Sequence, residues 1–308
     1  RAWLERALAS GAAGRITAVT SAGRGDLAAL AARSGYATFP IPENVGGRFS
    51  VLSAAGLLPA ALLGIDIARL ARGAARFTAS CWRPDLDENL ALRAALCHWL
   101  LLTTRNKPIQ VAFPYSNYLW GAAFWFRQLW AESLGKARDR AGRLVNAGQT
   151  PVAALGATDQ HSQVQLYVEG PNDKVFTFWT LERFRASGSI PRPKLKLPAF
   201  DALAGQSLAR LIEAEQRATA AALVAAQRPN CAFILGRLDE EHLGAFLQLQ
   251  EFQTAFMGEL LDINAFDQEG VELGKKLAFG LLGRQGFEPY RDQFQAYEAN
   301  RAALKGNS

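Results

Sequence analysis

Short runs rich in Val, Ile and Phe alternate along the chain with longer stretches in which apolar residues return every three or four positions. That alternation is expected of parallel strands joined by crossover helices. The pattern predicts strands over residues 16–19, 37–41, 109–113, 152–156, 174–180 and 231–235. It predicts helices over 26–34, 53–64, 89–104, 120–136, 206–226, 240–261 and 270–282. The fold class is therefore α/β, a parallel sheet covered by helices. A strand pattern restarts at Lys107-Pro108-Ile109 after a complete helix, which places a subdomain boundary near Asn106, with residues 1–105 in one unit and 106–308 in a fuller second. Residues 187–198 carry Pro191, Pro193 and Pro198, lack the donors of a central strand, and read as a loop or arm. The chain opens at Arg1 directly inside a helix-like pattern, Ala2-Trp3-Leu4 to Leu8, and so reads as truncated at its start.

Composition narrows the function classes. At 308 residues and 49% apolar, the chain can bury a sizeable core. Its net charge of +6 comes from basic residues scattered among acidic ones, which gives no nucleic-acid stripe and suits a small anionic substrate. Cys81, Cys97 and Cys231 are widely spaced with no C-x-x-C pair, which argues against a disulfide framework and against a zinc site, and points to a reducing, cytoplasmic setting. The most apolar run, residues 54–65, contains Pro59 and falls far short of the ~20 residues that span a bilayer.

Four constellations could carry chemistry. In Val45-Gly46-Gly47-Arg48-Phe49-Ser50, two glycines free the backbone to turn tightly and present N–H groups, and Arg48 adds a charge that never titrates. Such a site suits an anion, although an ordinary turn with a surface Arg has the same sequence. The helix over 120–136 is apolar or aromatic on nearly every side, with Gln128 and Glu132 set one turn apart on one face. A carboxylate in such company is expected to be partly desolvated and able to take and return a proton; a structural ion pair with Arg127 or Lys136 is the alternative. After the strand at 152–156 comes Thr158-Asp159-Gln160-His161-Ser162, at the strand end where ligands sit in open α/β sheets. His161 could move protons there, with Asp159 or another carboxylate fixing its tautomer. His98 and His242, inside helical patterns, read as structural. Finally, in Gln268-Glu269-Gly270-Val271-Glu272-Leu273-Gly274-Lys275, helical spacing puts Lys275 on one stripe with Val271, Ala278 and Leu282, the apolar side, where it snorkels or acts as a proton donor.

Taken in order, these motifs resemble the phosphoglucose isomerase family, and similar stretches at 53–66 and 165–174 extend the likeness over essentially the whole chain. The resemblance implies the sugar isomerase (SIS) fold: two αβα sandwich subdomains, the first incomplete here, with the site between them and a homodimer completing it. It implies an aldose–ketose isomerase acting on glucose 6-phosphate and fructose 6-phosphate through a cis-enediol, with no cofactor, metal, nucleic acid or membrane partner. Glu132 matches the base, Arg48 the cation that stabilises the enediolate, His161 a ring-opening residue supplied by the partner subunit, and Lys275 its helper. Gly47, Gln128 and Gln268 match substrate-contacting positions. Glu269 stands where many members carry an aromatic residue and Leu134 where others carry a small polar one, and the family's Ser/Thr-rich phosphate loop is expected before Arg1. A non-catalytic sugar-phosphate-binding module of the same fold is the alternative. Retention of both Glu132 and Lys275 speaks against it, since binding alone needs neither base nor proton donor.

Overall fold

In the computed structural model, which describes residues 2–8, 11–192 and 198–306, the chain forms two compact units, Arg1–Ala265 and Phe266–Ser308. The first unit starts with helix α1 (Ala2–Leu8), then strand β1 (Thr17–Ser21), crossover helix α2 (Gly25–Ser34) and strand β2 (Ala37–Ile41), the two strands pairing in parallel. Gly35 ends α2 at φ 67°, a left-handed conformation that glycine adopts without steric cost, and so turns the chain back into β2. A 3-10 turn, Gly47–Phe49, leads into helices α3 (Ala54–Leu62), α4 (Ile67–Cys81) and α5 (Leu90–Arg105).

The main sheet opens with β3 (Ile109–Pro114), followed by α6 (Trp120–Leu134), the antiparallel pair β4 (Lys136–Arg138) and β5 (Leu144–Ala147), and β6 (Thr150–Ala153). Then come α7 (Thr158–Glu169), β7 (Lys174–Arg183), α8 (Pro198–Asp201), α9 (Leu208–Ala225), β8 (Asn230–Arg237) and α10 (Glu240–Leu260). Its four strands are parallel in the order β6-β3-β7-β8. Successive side chains of a strand point to opposite faces. On one face Val111, Phe113, Phe176 and Phe178 pack against Tyr167 of α7 and Leu223 of α9. On the other, Ala112 and Trp179 meet Ala95 of α5, Phe126 and Trp130 of α6, and Phe246 of α10. The result is a three-layer αβα sandwich, with helices on both sides of the sheet as expected.

Every predicted strand position holds a strand, but the one expected at 152–156 starts earlier and ends at Ala153. Helices α4, α7 and α8, the β4-β5 hairpin and a helix over Glu288–Gly306 in the second unit are additions to the predicted set. Helix α4 shows helical spacing in Ile67, Leu70, Ala74, Phe77 and Cys81, and it packs closely on α10: a Cβ at Gly73 would lie 1.9 Å from the Glu241 carbonyl oxygen, and one at Gly244 1.9 Å from that of Leu70. The arm expected over residues 187–198 forms one antiparallel bridge, Ser189 to Ser207; its residues 193–197, like Arg1, lie outside the described residues.

The second unit contains a 3-10 turn, Glu269–Val271, helix α11 (Glu272–Leu281) and helix α12 (Glu288–Gly306). The helix predicted over 270–282 is therefore divided between the turn and α11. Among the described residues, no helix is long and apolar enough to cross a membrane.

Candidate active site

Helix α6 packs Phe126, Trp130 and Leu134 into the core against the sheet and also buries Leu129 and Ser133. Its remaining face carries Gln128 and Glu132, one turn apart, and the Gln128 Nε2 donates to Glu132 Oε1 at 3.1 Å. The expected seal of aromatic residues around Glu132 does not form: its side chain is 30% exposed and its neighbour is a cation, Arg48, with NH1 3.7 Å from Glu132 Oε2. Lys136, the alternative ion-pair partner, donates to the Glu132 backbone carbonyl at 2.7 Å, which satisfies one of the carbonyls left open at the helix end.

Arg48 is the buried member of the pair, with a side chain only 1% exposed. Its Nε donates to Ser133 Oγ at 2.7 Å and its NH2 to the Ala265 carbonyl at 2.6 Å. The Trp125 indole N–H donates to the Arg48 carbonyl at 3.0 Å, so the backbone of the turn is tied to α6 as well. The reading of an exposed surface Arg is thereby excluded. The two glycines before it act differently from expectation. Neither Gly46 nor Gly47 has a positive φ, and a Cβ at either would meet nothing within 4 Å. The turn could hold larger residues; what the glycines provide is open space beside the Arg48–Glu132 pair.

His161 lies in the first turn of α7, not in a loop, and its side chain is exposed. Asp159 does not orient it. The Asp159 carboxylate accepts the Leu155 N–H and the Ser162 hydroxyl, both at 2.6 Å. Burial pushes the Asp159 carboxyl up, but hydrogen bonds from Ser162, the Leu155 N–H and Gln163 outweigh it and hold the group below the usual carboxylate range. Gln160 serves the core, donating to the Tyr115 hydroxyl at 2.7 Å and to Thr219 Oγ1 at 2.8 Å.

Topology separates His161 from Glu132. Helix α6 leaves the carboxyl end of β3 and returns to the amino edge of the sheet, where β6 starts opposite Ile109. Glu132 lies at the far end of this helix, and His161 just beyond the carboxyl end of β6. The 15 residues of α6 put roughly 20 Å between those two edges. Within one chain the structure brings together Gly47, Arg48, Gln128 and Glu132, and it keeps His161 apart from them.

Gln268 and Lys275 belong to the second unit. Gln268 precedes the 3-10 turn, and its carbonyl accepts the Val271 N–H at 3.3 Å. The stripe of Val271, Lys275, Ala278 and Leu282 is exposed, contrary to its reading as the apolar side. The buried position of α11 is Gly280, where a Cβ would lie 2.6 Å from the Arg291 nitrogen of α12. Lys275 sits in solvent with its Nζ 2.8 Å from Glu272 Oε1.

Sequence reasoning missed Ser133 and Trp125 as supports of Arg48; the one signal for Ser133 was its place beside Glu132. His98 is structural. Burial pushes its imidazole down to about 4, with a partial offset from a hydrogen bond to Gln149. Among the described residues, no group of three or more His, Cys, Asp or Glu is placed to hold a metal ion.

The profile of the family described as "Phosphoglucose isomerase" matches residues 34–286. The chain is 50% identical over 270 residues to the glucose-6-phosphate isomerase of Carboxydothermus hydrogenoformans, covering 88% of this chain and 58% of that protein. It is 40% identical over 273 residues to the glucose-6-phosphate isomerase of Rubrobacter xylanophilus, covering 89% and 61%. Among solved structures, a hypothetical protein from Thermus thermophilus superposes with a TM-score of 0.85 at 41% identity, covering 91% of this chain and 66% of that one. The chain thus spans 58% and 61% of the length of these two curated relatives.

Proposed function

This chain belongs to the phosphoglucose isomerase family, and from that premise we propose that it carries the acid–base machinery of an aldose–ketose isomerase acting on glucose 6-phosphate and fructose 6-phosphate. The observation that carries the reading is a partly exposed carboxylate, Glu132, held against the buried guanidinium of Arg48 beside a backbone turn left open by two glycines. In the open-chain sugar, Glu132 takes the proton from C2, the C–H electron pair becomes the C1–C2 double bond, and negative charge moves onto the carbonyl oxygen. Arg48 stabilises that charge, which exists only along the reaction path and so lowers the barrier rather than strengthening ground-state binding. The hydroxyl proton passes from O2 to O1 of the enediolate, and Glu132 then returns its own proton to C1, so that the electron pair of the C1–C2 double bond forms the new C1–H bond while the O2 electrons close the carbonyl at C2. Gln128, bonded to Glu132, fixes which carboxylate oxygen faces the substrate, and Gly47 and Gln268 contact the sugar.

His161 and Lys275 open the sugar ring before the proton transfer. The separation of His161 from Glu132 across the sheet supports a homodimer in which each copy lends its His161 to the site of the other. On this reading residues 1–105 belong to a first sugar-isomerase subdomain and 106–308 to the second, and the phosphorylated substrate fits a cytoplasmic setting. A module that only bound sugar phosphate would have no use for a base paired with a buried cation. The test is a coupled assay of fructose 6-phosphate conversion on the gene product that carries this chain. Glu132→Gln should lower kcat by about 10^3-fold; unchanged turnover would remove Glu132 as the base.

A further inference from the structure

A guanidinium that must meet charge appearing only in the transition state acts best when its plane is set beforehand, since reorientation would otherwise add to the barrier. In this chain the plane is set from outside the turn that carries the arginine. Nε is held by Ser133 Oγ at 2.7 Å and NH2 by the Ala265 carbonyl at 2.6 Å, while NH1 stands 3.7 Å from the Glu132 carboxylate. Ser133 is fully buried and follows Glu132 directly on α6. Successive helical residues point about 100° apart, so Glu132 turns to the open side and Ser133 to the core, yet both reach one guanidinium. A single helix therefore registers base and cation together.

We propose that Ser133 is a positioning residue: its hydroxyl fixes the roll of the Arg48 guanidinium so that the arginine meets the enediolate charge generated at Glu132. This rests on the isomerase reading above. Ground-state sugar phosphate carries no such charge, so loss of the hydroxyl falls on kcat and spares KM.

The test compares four variants of the full gene product. Ser133→Ala should lower kcat at least about tenfold with KM changed less than about twofold, and Ser133→Cys, which keeps a weak acceptor, should fall between it and the parent. Arabinonate 5-phosphate, whose carboxylate places charge where the enediolate would carry it, should bind Ser133→Ala more weakly in calorimetry by a similar factor. Phe126→Leu loosens the same helix on its buried side and should lower the melting temperature without lowering kcat. Parent-like kcat and analogue affinity in both Ser133 variants, with Glu132→Gln inactive, would overturn the positioning role and leave the isomerase reading standing. An active Glu132→Gln would instead overturn the isomerase reading. Equal loss of kcat in Phe126→Leu and Ser133→Ala at matched melting temperature would reduce the effect to loosened packing and overturn the proposal.

Discussion

The pair β1-β2 and the sheet β6-β3-β7-β8 are both parallel and both use crossover helices, but they bury very different things. In the larger sheet, Phe113, Phe176, Phe178 and Trp179 are sealed between helices on two faces. Among the described residues before Leu70, the buried apolar side chains are Ala12, Ala18 and Ala31, and Phe39 in β2 is 45% exposed. Parallel sheets are ordinarily covered on both faces; within the described residues the smaller pair is not. Yet Arg48 comes from this thin region. Its position is borrowed from the dense one, through Ser133 and Ala265. The precision of a side chain proposed for catalysis depends on what it grips, more than on how well its own segment is packed.

The sharpest way to break this comparison is Arg48→Lys. A lysine has a single nitrogen and cannot reach Ser133, Ala265 and Glu132 together; steady-state kinetics should show kcat lower by about 10^2-fold or more. Parent-like turnover would mean that the grip of α6 is not what places the cation. Next in size, Trp130→Ala should cost about 3–5 kcal/mol in denaturant unfolding, whereas Phe39→Ala should cost less than about 1 kcal/mol. Equal losses would erase the difference between the regions.

Titration of stability should also belong to the dense region. His98 has a folded-state pKa of about 4 against 6.5 for the free side chain, so the unfolded chain binds the extra proton between these values. Its contribution is fully present above pH 6.5 and lost as pH falls through 4, on the order of 3 kcal/mol. Burial raises the Glu251 carboxyl to about 8, a contribution of opposite sign that is present below pH 4.5 and lost as pH rises to 8. Stability–pH curves on a Glu251→Gln background should therefore rise from pH 4 to 6.5, and adding His98→Gln should flatten them. The smallest effect is local: Ser53 caps α3 by accepting the Ala55 N–H at 3.2 Å, and Ser53→Ala should cost about 1 kcal/mol.

The sequence announced the strands because buried parallel strands are rich in apolar residues, as Val111 to Phe113 is throughout and Val175 to Trp179 is apart from Thr177. Helix α4 was legible and overlooked: Ile67, Leu70, Ala74, Phe77 and Cys81 return at helical spacing, and only Gly73, where α10 approaches closely, interrupts its buried face. The sequence concealed α7 because that helix buries Tyr167 and leaves its first turn polar. In the site, the charged and amide groups were legible as types in a pattern. Their environments were not: Arg48 is held by Ala265, 217 positions away, and α11 turns Gly280 to α12 while Lys275 stays exposed.

On the proposed homodimer, the distance between Glu132 and His161 across the sheet would have a genetic consequence. If every site draws Glu132 from one copy and His161 from the other, two defective alleles need not add up to a null. Chains carrying Glu132→Gln, mixed equally with chains carrying His161→Gln and allowed to exchange subunits, would pair at random. Each mixed dimer would hold one wholly intact site and one doubly damaged one, restoring about a quarter of parental turnover from two inactive preparations. In a cell, a single lesion of either kind would spread its damage by assortment, and the allele with which it is paired would decide the phenotype.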